Sequence, residues 1–291
     1  MSRRTPHFLI IGAMKAGTTS LYQDLLTQPA VFMPENKEPE SLTRDDVLSP
    51  RSRRAYEALF RNASEKQMCG EASTGYTKLP DFPGVPHRAL HVCGRDLKLI
   101  YLVREPVARI RSHHHHKLTS GEFPIVDIDE AAKTYPELID WSRYAMQARA
   151  WIDIFGRDNL RIVRFETFTK ERRKTIAELC AFLGIEADVS RIDESAIYNP
   201  SEGKHVVTGR RAVIRRNPLY QKVIRPLVSP ESRDRIKRLI GRKAPPRPAP
   251  PSRATVQFVV DALRADLEDL RGLMGLDGPV WDMEEVIARH D

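Results

Sequence analysis

Residues 8–21, FLIIGAMKAGTTSL, constrain this chain more than any other stretch. Phe8 to Ile11 is a short, wholly apolar run, which predicts a strand buried on both faces. Gly12 and Gly17 bracket a loop whose backbone can curl closely around an anion, and Thr18, Thr19 and Ser20 open a helix. Hydroxyls and free N–H groups at a helix N-terminus, with the positive end of the helix dipole behind them, bind phosphate or sulfate oxygens. Lys15 adds a mobile charge. The plainer alternative is a tight strand-to-helix turn with no ligand.

In the nucleotide triphosphatase loop, G-x-x-x-x-G-K-[ST], the lysine follows the second glycine. Here the spacing from Gly12 to Gly17 is kept, but Thr18 occupies the lysine position and the lysine has moved into the loop. A γ-phosphate site with Mg²⁺ expects the usual order, so this variant points to a phosphate ester handled without a metal.

A second cluster lies at 97–117, LKLIYLVREPVARIRSHHHHK. Leu97 to Val103 has strand length, Pro106 suits the first turn of a helix, and Arg104 therefore sits at the strand's carboxyl end. Ligands of open α/β sheets bind there. Ser112 lies about 9 Å along the helix from Pro106, so it shares an anion with Arg104 only if the helix folds back beside the strand end. Alternatively, Arg104 pairs with Glu105 or another carboxylate and Ser112 is helix surface.

GAMKAGTTSL together with REPVARIRSHHHH resembles the paired signature of sulfotransferases that use 3′-phosphoadenosine 5′-phosphosulfate (PAPS). Gly12, Lys15, Ala16, Gly17, Thr18 and Thr19 match the family's 5′-phosphosulfate loop, and Arg104, Pro106, Arg109 and Ser112 match its 3′-phosphate element. The Pro-x-x-Lys-Glu-Pro segment that follows is closest to the heparan-sulfate-type branch and its bacterial relatives. The resemblance runs over roughly residues 7–290, closing on VVDALRADLEDLRGLMGLDGPVW.

The resemblance implies a P-loop-like three-layer α/β fold, with a central, mostly parallel sheet flanked by helices, in a single domain over 1–291. It implies PAPS as donor, no metal, and donor contacts from Lys15, Ala16, Gly17, Thr18, Thr19, Ser20, Arg104 and Ser112. Lys204, in YNPSEGKHV, would reach the 3′-phosphate from a closing loop. Lys15 would also stabilise the leaving phosphate, and Glu38, in PENKEPE, would be the base. Glu35 and Glu40 are its local competitors. GEASTGY at 70–76 resembles the family's Glu-x-Ser-Pro-x-Tyr element and offers Glu71 and Tyr76 on the acceptor side. Thr74 replaces the usual proline, and Ala72 stands where heparan-modifying members carry a lysine, so a heparan-like polyanion is not implied.

Other residues compete for these roles. His87 and His91 are alternative bases, as a histidine serves in the other branch. Of His113 to His116, only His113 and His116 share a helix face, which suits lining of an acceptor cleft better than chelation. The alternatives for the whole chain are a P-loop-type nucleotide kinase and a non-catalytic nucleotide-binding or membrane-docking module.

The chain carries +8 overall, yet the stretch from Lys204 to Arg253 holds fifteen Lys and Arg against Glu231 and Asp234, leaving the remainder acidic. This segment could steer a polyanionic donor, hold an acidic acceptor or touch anionic lipid, or simply be a solvated face. Tyr220 is its one stacking aromatic, which disfavours nucleic acid. The acceptor expected is a small molecule, glycan or lipid. No run nears the eighteen or so apolar residues of a membrane span, and the N-terminal apolar patch is too short for a signal peptide. Cys69, Cys93 and Cys180 are widely spaced and suggest neither disulfides nor zinc, so a cytoplasmic location is expected.

Read coarsely, strands are expected at 7–11, 31–33, 67–71, 97–103 and 159–164, and helices at 18–27, 53–61, 106–118, 137–155, 170–183 and 253–274. The irregular stretch 186–252, with its stiff APPRPAPPS connector, is expected to supply a lid or acceptor loops.

Overall fold

The computed structural model describes residues 5–196, 205–206, 242–243 and 248–290 of the 291. Its five main strands follow the apolar runs of the sequence: β1 (Phe8–Gly12), β2 (Val31–Phe32), β3 (Met68–Ala72), β4 (Lys98–Val103) and β5 (Leu160–Arg164). They form one sheet in the order β2-β3-β1-β4-β5, and every neighbouring pair is parallel. β1 is central: Phe8 lies opposite Gly70 on one side and Lys98 on the other. Phe8, Leu9, Ile10 and Ile11 are wholly buried, as a strand covered on both faces requires. Within the basic segment, β6 (His205–Val206) pairs antiparallel with β7 (Arg242–Lys243).

Eleven α-helices are seen among the described residues. They are α1 (Thr18–Leu26), α2 (Pro50–Glu57), α3 (Val85–Cys93), α4 (Pro106–Ser120), α5 (Ile128–Thr134), α6 (Glu137–Asp140), α7 (Tyr144–Phe155), α8 (Phe165–Lys170), α9 (Arg172–Leu183), α10 (Arg253–Met274) and α11 (Met283–Ala288). α10 matches its expected bounds; the Ser252 hydroxyl accepts the Thr255 N–H, and its buried stripe of Val256, Val259, Val260, Leu263, Leu267 and Leu270 packs against α7. None of the described helices is long and apolar enough to cross a membrane.

The helix expected over 137–155 is two helices, α6 and α7, separated by Trp141, Ser142 and Arg143. The cause is Arg109, wholly buried on α4. Its guanidinium donates to the Leu138 carbonyl at 2.6 Å and to the Ser142 hydroxyl at 2.7 Å, taking the carbonyl that would have continued the helical ladder. The helix expected over 170–183 is seen as α9, and a further short helix, α8, precedes it directly after β5.

One ion pair joins distant parts of this frame. The Arg172 guanidinium, at the start of α9, donates to both oxygens of Asp24 on α1, at 2.6 and 2.7 Å, and both side chains are buried.

From β1 the chain runs outward to β2 and β3 on one side, then crosses to β4 and β5 on the other. The carboxyl ends of β1 and β4 therefore flank the point where connections diverge, which is where open α/β sheets open a crevice.

Candidate active site

The loop leaving β1 enters α1 through Gly17, whose φ of 90° lies in the left-handed region. A side chain is excluded there on a second count, since a Cβ would stand 2.6 Å from the Phe165 ring. No side chain caps α1, and the N–H groups of Ser20 and Leu21 already turn back to the Gly17 carbonyl. The N–H groups of Thr18 and Thr19 thus have no intrahelical acceptor, and both residues line the crevice.

Across the crevice, β4 ends at Val103 and α4 begins at Pro106. The Glu105 carboxylate caps α4 by accepting the Val107 and Ala108 N–H groups at 2.5 and 2.8 Å. Arg104 reaches the β1 loop instead: its Nη1 donates to the Lys15 carbonyl at 3.1 Å, and its guanidinium lies 4.8 Å from the centre of the Phe165 ring. That contact locks the two candidate anion elements together.

A cleft of about 540 Å³ results. Lys15, Gly17, Thr18, Thr19 and Ser20 line it from the β1 loop, Arg104 and Ser112 from the β4 side, and Glu38 from the segment after β2. Arg104 and Ser112 also line an adjoining recess of about 140 Å³ with Arg111, His114 and His115. α4 thus runs beside the strand end as the sharing of one cavity by Arg104 and Ser112 demands. Ala16 stands apart, with its side chain buried and its N–H donated to the Ala13 carbonyl at 3.1 Å. Lys204 lies outside the described residues, as does most of the basic segment.

Glu38 has a left-handed backbone, φ 61°, and its N–H is held by the Ala72 carbonyl at 2.9 Å. Its carboxylate pairs with Lys37 and is 40% exposed. Glu40 is turned away and accepts the Gly75 N–H at 3.0 Å, while Glu35 is exposed outside the cleft lining. His87 and His91 are exposed on α3 and do not line the cleft. His116 does line it, whereas His113 is buried and stacked 4.8 Å from Trp141. Among the described residues no three His, Cys, Asp or Glu are grouped to hold a metal.

Sequence reading did not anticipate Phe165, Phe168, Thr169 and Arg172, which line the cleft from the segment after β5. The signal was there: FETFTK follows directly on an expected strand, and strand carboxyl ends are where such sheets bind ligands.

Glu71 and Tyr76 are placed differently from the acceptor-side expectation. Both are buried, and the Glu71 carboxylate accepts hydroxyl hydrogens from Tyr56 at 2.5 Å, Ser73 at 2.5 Å and Tyr76 at 3.0 Å. Burial pushes Glu71 up to about 7, against the opposing pull of these donors. Around it stand Tyr56 from α2, Tyr76 and Ser73 after β3, Glu40, and Cys93 from α3, none of them cationic.

The folded state therefore keeps a proton that the unfolded chain releases near pH 4.5. The stability this gives is complete below that pH and is lost as pH rises through about 7, on the order of 3 kcal/mol in all. Denaturant titrations from pH 5 to 8 should show the wild type losing stability relative to Glu71→Gln; parallel profiles would contradict the assignment.

This frame, with a nucleotide-sized crevice across the ends of β1, β4 and β5, defines a P-loop-like α/β protein. Residues 5–212 match the family model described as "Sulfotransferase domain", and the chain belongs to that family. A solved sulfotransferase from Alicyclobacillus acidocaldarius shares the fold, with a TM-score of 0.64 at 22% identity over 94% of this chain and 98% of that one. Carbohydrate sulfotransferase 15 of Mus musculus is 23% identical over 78% of this chain and 52% of its own length. Heparan sulfate glucosamine 3-O-sulfotransferase 6 of Homo sapiens is 26% identical over 69% of this chain and 58% of its own. The chain spans about half the length of the curated relatives it matches.

Proposed function

We propose that the protein is a sulfotransferase, moving a sulfuryl group from PAPS to a hydroxyl, or as second choice an amine, of a small-molecule, glycan or lipid acceptor. One observation carries the reading: the Lys15–Thr19 loop and the Arg104/Ser112 element, ninety residues apart in sequence, share one cleft. The 5′-phosphosulfate would lie on the N–H groups of Thr18 and Thr19, with Lys15 beside the bridging oxygen. Arg104 and Ser112 would hold the 3′-phosphate.

In the transfer itself the acceptor oxygen attacks sulfur in line as the bond from sulfur to the 5′-phosphate oxygen breaks. Glu38 takes the acceptor's proton, and adenosine 3′,5′-bisphosphate leaves with the bond's electrons. Lys15 offsets the charge that gathers on the departing phosphate. This chemistry runs without a metal. Three cysteines without a disulfide fit a cytoplasmic setting.

Calorimetric titration with adenosine 3′,5′-bisphosphate, and separately with ATP and Mg²⁺, tests the donor assignment. The bisphosphate should bind and Arg104→Ala should weaken it at least about tenfold, as loss of a charge-assisted phosphate contact does. Preference for ATP, or undiminished affinity in the variant, would sink the reading.

A further inference from the structure

The segment carrying Glu38 is bound to the rest of the protein by an unusual set of contacts. Glu38 and Glu40 both have left-handed backbones, at φ 61° and 54°, a conformation that non-glycine residues adopt only when held. Three ties hold them. The Glu38 N–H donates to the Ala72 carbonyl, the Glu40 N–H to the Ser73 hydroxyl at 3.1 Å, and the Leu42 N–H to the Tyr76 hydroxyl at 3.4 Å. The Ser73 and Tyr76 hydroxyls each pass their own hydrogen to the same carboxylate, that of Glu71.

Two donor chains thus converge on one buried carboxyl group, from Glu40 through Ser73 and from Leu42 through Tyr76. A hydroxyl that donates its own hydrogen onward is a better acceptor for the next N–H, so the two links of each chain strengthen one another. Gly75 completes the arrangement by leaving room for Glu40, whose Oε2 would stand 1.9 Å from a Cβ at that position.

We propose that Glu71 is a positioning residue for the candidate base: through Ser73 and Tyr76 it fixes the 38–42 segment and so aims Glu38 into the cleft. Glu71 lines no part of that cleft and touches none of the donor-loop residues. The inference rests on the reading of Glu38 given above.

Hydrogen-exchange mass spectrometry on the full chain, Glu71→Gln against wild type, reads the effect directly. An amide accepts at one end only and turns N–H hydrogens toward a hydroxyl at the other, so at least one chain loses its onward acceptor and is weakened. Exchange of the Glu40 and Leu42 amides should quicken about tenfold or more, while β1 and β4 keep their protection. Ser73→Ala should release mainly Glu40, and Tyr76→Phe mainly Leu42; these variants decide the matter if Glu71→Gln does not fold.

In parallel, release of bisphosphate from PAPS with p-nitrophenol as probe acceptor should show kcat lowered about tenfold in Glu71→Gln, with KM for PAPS unchanged. Unaltered exchange in all three variants, or KM and kcat falling together, overturns the proposal. Failure of the wild type to bind the bisphosphate would instead remove the sulfotransferase reading, leaving the exchange result to judge the tether alone.

Discussion

Lys15→Ala is expected to slow sulfuryl transfer by about two to three orders of magnitude, the effect of removing one preorganised donor from a developing oxyanion. The argument is positional. Lys15 lies in the cleft with a left-handed backbone, φ 69°, and its carbonyl is clasped by Arg104 at 3.1 Å. Its place is therefore set by the loop and by the opposite wall together. Because the charge on the leaving phosphate grows during transfer, Lys15 should act on kcat more than on donor affinity. Bisphosphate release from PAPS, measured at saturating donor, checks this. Lys15→Arg keeps the charge but spreads it over a planar group, and should recover only part of the rate. A Lys15→Ala rate within about threefold of wild type would take Lys15 out of the transfer step.

Asp24→Ala should be the most damaging substitution for stability, at about 3–5 kcal/mol, because it removes the buried carboxylate to which two nitrogens of the Arg172 guanidinium donate. Burial raises the Asp24 carboxyl and Arg172 pulls it back down, so the pair is worth keeping only while both members are present. Arg172 also donates to the Ala196 carbonyl at 2.7 Å and lines the cleft, so its loosening would reach the donor site. Equilibrium unfolding in urea measures the loss. A change below about 1 kcal/mol would mean that water reaches the guanidinium and makes good the missing carboxylate.

Much of the frame is written in local pattern. FLIIG and KLIYLV are apolar runs of strand length, and the 3.6-residue stripe from Val256 to Leu270 admits only a helix against a core. The glycine loop and the Arg104–Ser112 spacing marked both walls of the cleft because each is a short, contiguous element. What escaped is made by contacts between distant segments. Arg109 matched the motif, yet it is wholly buried and breaks a helix thirty residues away, through an acceptor that no local pattern reveals. α3, with Pro86 in its first turn, falls outside the helices expected from the sequence. Glu71 reads as an acceptor-side residue in GEASTGY, and only the meeting of Tyr56, Ser73 and Tyr76 around it shows it buried.

The strand order also bears on how the chain is made. β1 precedes both of its partners, β3 and β4, in the chain, so it has no neighbour until residue 72 has followed. For that interval FLII, wholly buried in the finished protein, is an unpaired apolar ribbon. At about 5–20 residues per second the wait lasts several seconds, longer than most intermolecular collisions need to find an exposed strand. Yield in a cell should therefore depend on chaperones that bind short apolar segments, and slowing translation through residues 20–72 should cost more soluble protein than slowing it beyond β5.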